Sequence, residues 1–507
     1  MCNSCSSGLN RREFISKSLK TSGALSLAMV GGASAMGTDF FGDNKGLHPQ
    51  GGHLVKIKKE PARVNVVFLY PPYEAVSGQS FQSGDRIIRN DWFTYPCNQF
   101  EYEKQQELFT SKIRSIASKL GVAVDFTSKA LYQRDEVDEF ILKTKAKKPD
   151  AVMVVNFWND FSDWSYMIAT ESAPAAIVYE PVGVKHQLPH SGLMNTRGIY
   201  YIGSIENWDE IERGLLAVRA KKMMAQSRLL RVTNQDQAMM ENYDEFLNCH
   251  VVSVRAEEFN DIFDSIKPDN RLVNEAMKFK SNAIKVTDVE DKYFVDGMRA
   301  HSAVKQIMDR YGADAITINC LQLRHRKPCM SFAINNGNLI PNGCENHLDG
   351  TLTQMLGRWL LERAGFLHNP AYDTSENLYF GTHCTCAIKL QGPQGPDQEY
   401  LIRPFTHQLP KTPALDVQWT PCEPVMLVKY YSGRDRLICW TGKVIESPKY
   451  PPTGGCATRV LVELDKVDNV CDTYPGPHPI LFWGNRSDAR RMKAFSQIYG
   501  LDLEGNI

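Results

Sequence analysis

The chain of 507 residues carries no surplus charge, since 58 Lys and Arg balance 58 Asp and Glu. With neither a basic tract nor an acidic tail, it offers little electrostatic basis for holding nucleic acid or an anionic membrane surface. Beyond the N-terminal leader, no apolar run approaches the roughly 20 residues that span a bilayer as a helix. The G-x-G-x-x-G fingerprint after a strand, the phosphate loop, G-x-S-x-G and H-E-x-x-H are all missing. Their absence takes weight from nucleotide, serine-hydrolase and zinc-protease chemistry. No internal repeat or low-complexity tract is present. The 13 cysteines do not form a compact disulfide framework. Cys2 and Cys5 lie upstream of the leader, and the others, from Cys97 to Cys471, are scattered and odd in number. Most read as buried apolar residues, although an oxidising compartment would permit one or two bridges.

What is present begins with Asn10-Arg11-Arg12-Glu13-Phe14-Ile15-Ser16-Lys17, followed by a weakly apolar stretch from Gly23 to Ala33 and the small-x-small site Ala33-Ser34-Ala35. Paired arginines, a short apolar core and that site predict a twin-arginine signal over residues 1–35. The expected partner is therefore the twin-arginine translocation machinery, with a mature protein in the periplasm or outside the cell. A chain exported folded can take up a metal or cofactor before it leaves the cytoplasm. Residues 36–60, rich in Gly, Lys and His without periodicity, read as a flexible tail.

From Val64 the pattern alternates. Continuous apolar runs at Val64–Tyr70, Val122–Phe126, Ala151–Phe157, Ala175–Tyr179 and Ile199–Ile202 alternate with helical stretches at Tyr102–Leu120 and Glu136–Ala146. Such alternation predicts right-handed crossovers on a parallel sheet over residues 61–205. A second α/β unit over residues 206–376 opens with a helix read as Trp208–Leu230. It includes a helix Phe294–Tyr311 and the buried strand Ala313–Cys320. Residues 377–507 change character: Val425–Tyr431, Arg436–Trp440 and Ala457–Leu464 are strand-like between Gly, Pro and Asp turns, with a last helix at Asp488–Tyr499. The expected fold class is α/β, with two Rossmann-like parallel-sheet units followed by a β-rich, antiparallel barrel-like C-terminal domain.

The most informative segment is Gly343-Cys344-Glu345-Asn346-His347-Leu348-Asp349-Gly350, running on to Leu360. At helical spacing Leu348, Leu352, Met355, Leu356 and Trp359 form a buried stripe, with Glu345 at its N-terminal end. Asp349, one turn on, would present a second carboxylate to the same pocket. Alternatively, Glu345 is a helix-terminal acid favoured by the macrodipole. In the strand Asn377–Cys384, His383 shares a face with Tyr379 and Gly381, as either a hydrogen-bonded structural residue or a ligand. His478 sits in a Pro/Gly turn before the apolar run Ile480–Trp483.

At these residues the chain resembles the L-fucose isomerase family, the group that includes L-arabinose isomerase. The Cys344-Glu345-Asn346 motif with its downstream Leu356-Gly357 is similar to that family's metal-binding Glu motif. His478 looks like its C-terminal metal-binding histidine, and His383-Cys384 is similar to a His-Cys motif of the wider family. One departure stands out. Where the family has an Asp in F-x-x-D, this chain reads Phe366-Leu367-His368-Asn369.

The resemblance implies an aldose–ketose isomerase acting on a small sugar through an enediolate, with a bound divalent cation, Mn2+ first and Mg2+ second. It implies Glu345 as ligand and acid/base, Asn369 or Asp373 as second ligand (Asp373 also as catalytic partner) and His478 as third. Asp349 and His383 would contact substrate or support the ligands, and the chain would form a homo-oligomer. Two other functions stay open: an exported glycosidase or lyase on the same scaffold, and a non-catalytic carbohydrate-binding protein.

Overall fold

The structure, a computed structural model, describes residues 46–47, 53–72, 75, 80–83, 86–89, 102–181, 188–204, 206–234, 240–405, 408–448 and 456–507. The expected signal peptide, Cys97 and most of the expected tail lie outside the described residues. The protein is α/β, with parallel sheet followed by a strand-rich, mostly antiparallel sheet.

Strands β1 (Arg63–Leu69), β2 (Ala123–Phe126), β3 (Ala151–Asn156), β4 (Ala176–Glu180) and β5 (Ile199–Gly203) form the first sheet, in the order β2-β1-β3-β4-β5. All neighbours run parallel. The apolar runs that predicted these strands explain the arrangement: β3 and β4 are buried at every residue, as strands covered on both faces must be.

The second sheet contains β6 (Arg228–Thr233), β7 (Met240–Tyr243), β8 (His250–Arg255), β9 (Ala315–Ile318) and β10 (Asn342–Cys344), in the order β7-β8-β6-β9-β10. β8, β6, β9 and β10 are parallel, and β7 and the two-residue strand Gly46–Leu47 add an antiparallel edge. Here the sequence reading needs correcting. The helix expected to reach Leu230 stops at Ala225, and Arg228–Thr233 is the central strand of the sheet. Leu229 and Leu230 fit an apolar face at either periodicity, and pairing with two neighbours decides for the strand.

The third sheet holds β11 (Gly365–Leu367), β12 (Asn369–Asp373), β13 (Leu378–His383), β14 (Pro424–Tyr431), β15 (Arg436–Glu446), β16 (Thr458–Leu464), β17 (Ile480–Trp483) and β18 (Asp502–Gly505). Its order is β11-β17-β14-β15-β16-β13-β12, with β18 beside β15. β11 and β12, which precede residue 376, already belong to this sheet. Among the described residues, hydrogen bonds do not close it into a barrel. Yet its edge strands β11 and β12 are consecutive in the chain, separated only by His368. The sheet therefore curls until its two edges meet at that residue, joined by covalent chain rather than by a ladder. Phe366, Tyr379, Val425, Leu427, Val460, Val462 and Leu481 fill its interior.

Candidate functional site

Three segments converge at the C-terminal ends of β9 and β10. In open α/β sheets that is where ligands bind. The first segment is the turn leaving β10. Cys344 ends the strand, Glu345 and Asn346 adopt φ of 56° and 58°, and His347 caps the helix α1 (Leu348–Leu360) by accepting from Gly350 N–H at 3.1 Å. Left-handed backbone at a residue other than glycine costs on the order of 1–3 kcal/mol and persists where the surroundings over-determine it. Those surroundings are visible: Asn346 N–H donates to Ile318 O at 3.1 Å, and Arg231 Nε donates to Asn346 Oδ1 at 2.9 Å.

Glu345 thus precedes the helix rather than lying on its apolar face. Leu352, Met355 and Leu356 are buried as expected, but so are Thr351, Thr353 and Gln354. The helix has no solvent face on which the period could stand out. Gly343 makes the approach possible, since a Cβ there would lie 1.9 Å from Thr351 Oγ1 and 3.1 Å from Thr317 Oγ1. Gly343→Ala should lower stability by about 1–3 kcal/mol, the usual cost of overpacking. Denaturant melts would measure it, and an unchanged midpoint would show that the turn yields freely.

The second segment is the end of β13. His383 is buried and shares its face with Tyr379 and Gly381, as the alternation predicted. The third is the turn Pro475-Gly476-Pro477-His478-Pro479, where His478 has φ of 53°. Two groups from β14 hold this turn: Lys429 Nζ donates to Pro477 O at 2.6 Å and Tyr431 Oη donates to Pro475 O at 3.1 Å.

The carboxylate of Glu345 lies between the two histidines. His478 Nε2 is 3.4 Å from Oε2, and His383 Nε2 is 3.8 Å from Oε1. The His347 and His478 rings meet edge to face at 4.6 Å between centroids. His478 holds the Glu345 carboxyl below the usual carboxylate range, so it is ionised at neutral pH. Burial pushes His347 and His478 below the ordinary imidazole value. Burial also opposes charge on His383, but Cys384 and Glu345 beside it raise it overall. His383 Nε2 and both ring nitrogens of His478 are buried without a hydrogen-bond partner. Such orphaned atoms are costly and rare, and they point to a ligand that satisfies them.

The remaining expected residues fall elsewhere. Asp349 accepts from Ser432 N–H at 3.2 Å and faces Lys429 Nζ at 3.9 Å, so it supports the strand that holds the His478 turn. Burial raises its carboxyl and brings the Lys429 ammonium down to about 8. Asp373 is exposed at the far end of the β12–β13 hairpin from His383, and its carboxylate accepts from the backbone of Ser375 and Glu376. Asn369 is paired with Thr382, whose side chain points to the face opposite His383. The residue of that motif on the inner face is His368. It is fully buried, with Nε2 2.6 Å from Tyr379 Oη. Neither Asp373 nor Asn369 is brought to Glu345.

Sequence reasoning missed the thiols. Cys320 Sγ lies 2.9 Å from Cys344 Sγ, and Cys329 Sγ lies 4.0 Å from Cys384 Sγ, which is itself 3.8 Å from His383 Nδ1. Cys344, Glu345 and His383 each offer a donor atom within 4.8 Å of the other two. Only the adjacency of Cys344 to Glu345 and of Cys384 to His383 hinted at this. A cleft of about 820 Å³ lined by Tyr293, Asp296, Arg324, His325 and Leu409 contains none of these groups.

Neither a scan of protein-family models nor a search of curated proteins finds a match to this chain.

Proposed function

We propose that this cluster is a divalent-metal centre acting on a monosaccharide, as an aldose–ketose isomerase of the L-fucose isomerase type. The observation that supports it is the meeting of Glu345, His383 and His478, remote in sequence, with two ring nitrogens left without a hydrogen bond beside one carboxylate. Those residues fit a cation, and when bound it would stabilise the negative charge that develops on adjacent sugar oxygens. Glu345 is ionised and therefore able to take the proton from C2 and return it at C1. His347, whose Nδ1 already accepts from Gly350, carries its proton on Nε2 and can donate to a sugar oxygen. Lys429 and Asp349 position His478 by fixing its turn.

A glycosidase would need two carboxylic groups flanking one bond. With Asp349 and Asp373 both engaged elsewhere, that alternative loses support. Twin-arginine export and a homo-oligomeric state belong to the same reading.

The test is solvent exchange. Metal-loaded protein is incubated with pentoses and deoxyhexoses in deuterated water and followed by nuclear magnetic resonance. Deuterium should appear at C2, and should not with Glu345→Gln. Metal-loaded protein that exchanges no sugar of the panel would remove the isomerase reading.

A further inference from the structure

We propose that Cys344 supplies a sulfur ligand to this centre, so that the Cys344 thiolate, the Glu345 carboxylate and the His383 imidazole hold the ion, with His478 against Glu345 beside an open fourth position, and that the ion is of the zinc class rather than Mn2+ or Mg2+. This rests on the metal-centre reading above and specifies which metal it serves.

Geometry is the first support. Donors around a tetrahedral ion with bonds of about 2.0–2.3 Å lie roughly 3.3–3.8 Å apart. Glu345 stands 3.4 Å from His478 and 3.8 Å from His383, and Cys344 joins Glu345 and His383 within 4.8 Å. Small side-chain movements bring Cys344, Glu345 and His383 to bonding distance, with His478 beside Glu345. The unpartnered nitrogens are an independent support. His478 is 5 % and His383 1 % exposed, and their Nε2 atoms stand 3.4 Å and 3.8 Å from the Glu345 carboxylate without a hydrogen bond.

Charge is the third support. The resemblance demanded a second carboxylate, and the strand register turns Asn369 away. On coordinating the cation the Cys344 thiol would lose its proton and restore the lost negative charge from the residue adjoining Glu345. Ligand type then decides the metal. Mg2+ seeks six oxygens in octahedral array, and Mn2+ likewise favours oxygen donors, whereas sulfur with imidazole selects Zn2+ and its neighbours. The surrounding groups suit these roles. The Cys320 thiol, 2.9 Å from Cys344 Sγ, can donate to a thiolate there. His383 Nδ1, 3.3 Å from Thr385 Oγ1, can donate to that hydroxyl and so leave Nε2 as the ligand.

The experiment adds Co2+ to the metal-free full-length protein and records its absorption spectrum. Expected are the visible bands of four-coordinate cobalt together with a near-ultraviolet sulfur-to-cobalt charge-transfer band. Zn2+ should displace the cobalt, whereas excess Mn2+ should not. Cys344→Ser should abolish the charge-transfer band and lower Zn2+ affinity on the order of a hundredfold. Cys320→Ser should keep the band. The wild-type spectrum decides the matter even if a variant fails to fold. Cobalt bound without the charge-transfer band, or a Cys320–Cys344 disulfide found by mass spectrometry in the metal-binding protein, overturns the thiolate and leaves the isomerase centre standing. Failure to bind any of the three ions overturns both.

Discussion

Glu345→Gln should keep the fold and cut divalent-cation affinity by on the order of a hundredfold or more. The substitution preserves shape but removes the one charge between His383 and His478. The Cys344 sulfur would then be the one remaining source of negative charge among the groups around the ion. Isothermal titration calorimetry with Zn2+ and Mn2+ gives the affinities, and circular dichroism reports the fold. Equal affinity in the variant would mean that the carboxylate is not a ligand, and the centre would lose its defining member. Carbohydrate binding indifferent to both chelator and this substitution would favour a non-catalytic sugar-binding protein.

Acid should unfold the protein early, because several histidines are buried in the neutral form. Burial brings His368 down to about 3 and His301 down to about 4, each from an ordinary value of 6.5. Above pH 6.5 neither state binds a proton at these rings, so they add no pH dependence. As pH falls from 6.5 towards 4, the unfolded chain takes up two protons that the folded chain refuses. Stability should therefore drop by roughly 2–3 kcal/mol per pH unit in that window, at about 1.4 kcal/mol for each ring. His347 and His478 act in the same direction, whereas His383, whose value is raised, acts against them. Urea melts at a series of pH values would show the slope, and His301→Gln should lessen it by about half. A midpoint constant from pH 7 to pH 5 would contradict the assignment of neutral buried rings.

How much of this was readable beforehand depends on the element. β1, β3 and β4 were legible because a strand covered on both faces is a continuous apolar run, and no other local pattern competes. β7 was not, since Met240-Glu241-Asn242-Tyr243 is a polar strand with little periodic signal. Glu345 and His478 were singled out by their motifs and lie side by side, although Glu345 was placed on a helix that starts three residues later. Left-handed backbone at both positions gives no warning in composition, because neither residue is glycine. Asn369 faces away from His383 for a different reason. Alternate residues of a strand face opposite sides, so a motif displaced by one position exchanges inside for outside, and His368 took the inner place. The thiols come from four separate segments, and no spacing rule joins Cys320 and Cys329 to Cys344 and Cys384.

The covalent seam at His368 has a mechanical consequence. Cys344 ends a strand of the parallel sheet and Glu345 follows it, while His383 ends one strand of the curled sheet and His478 precedes another. An ion seated among them would act as a rivet between two layers whose own ladders never touch at that point. Because it would bind the native state alone, each tenfold rise in its free concentration above the dissociation constant would add about 1.4 kcal/mol against unfolding. Chelation would then first loosen the contact between the layers, and each sheet's own hydrogen bonding would persist.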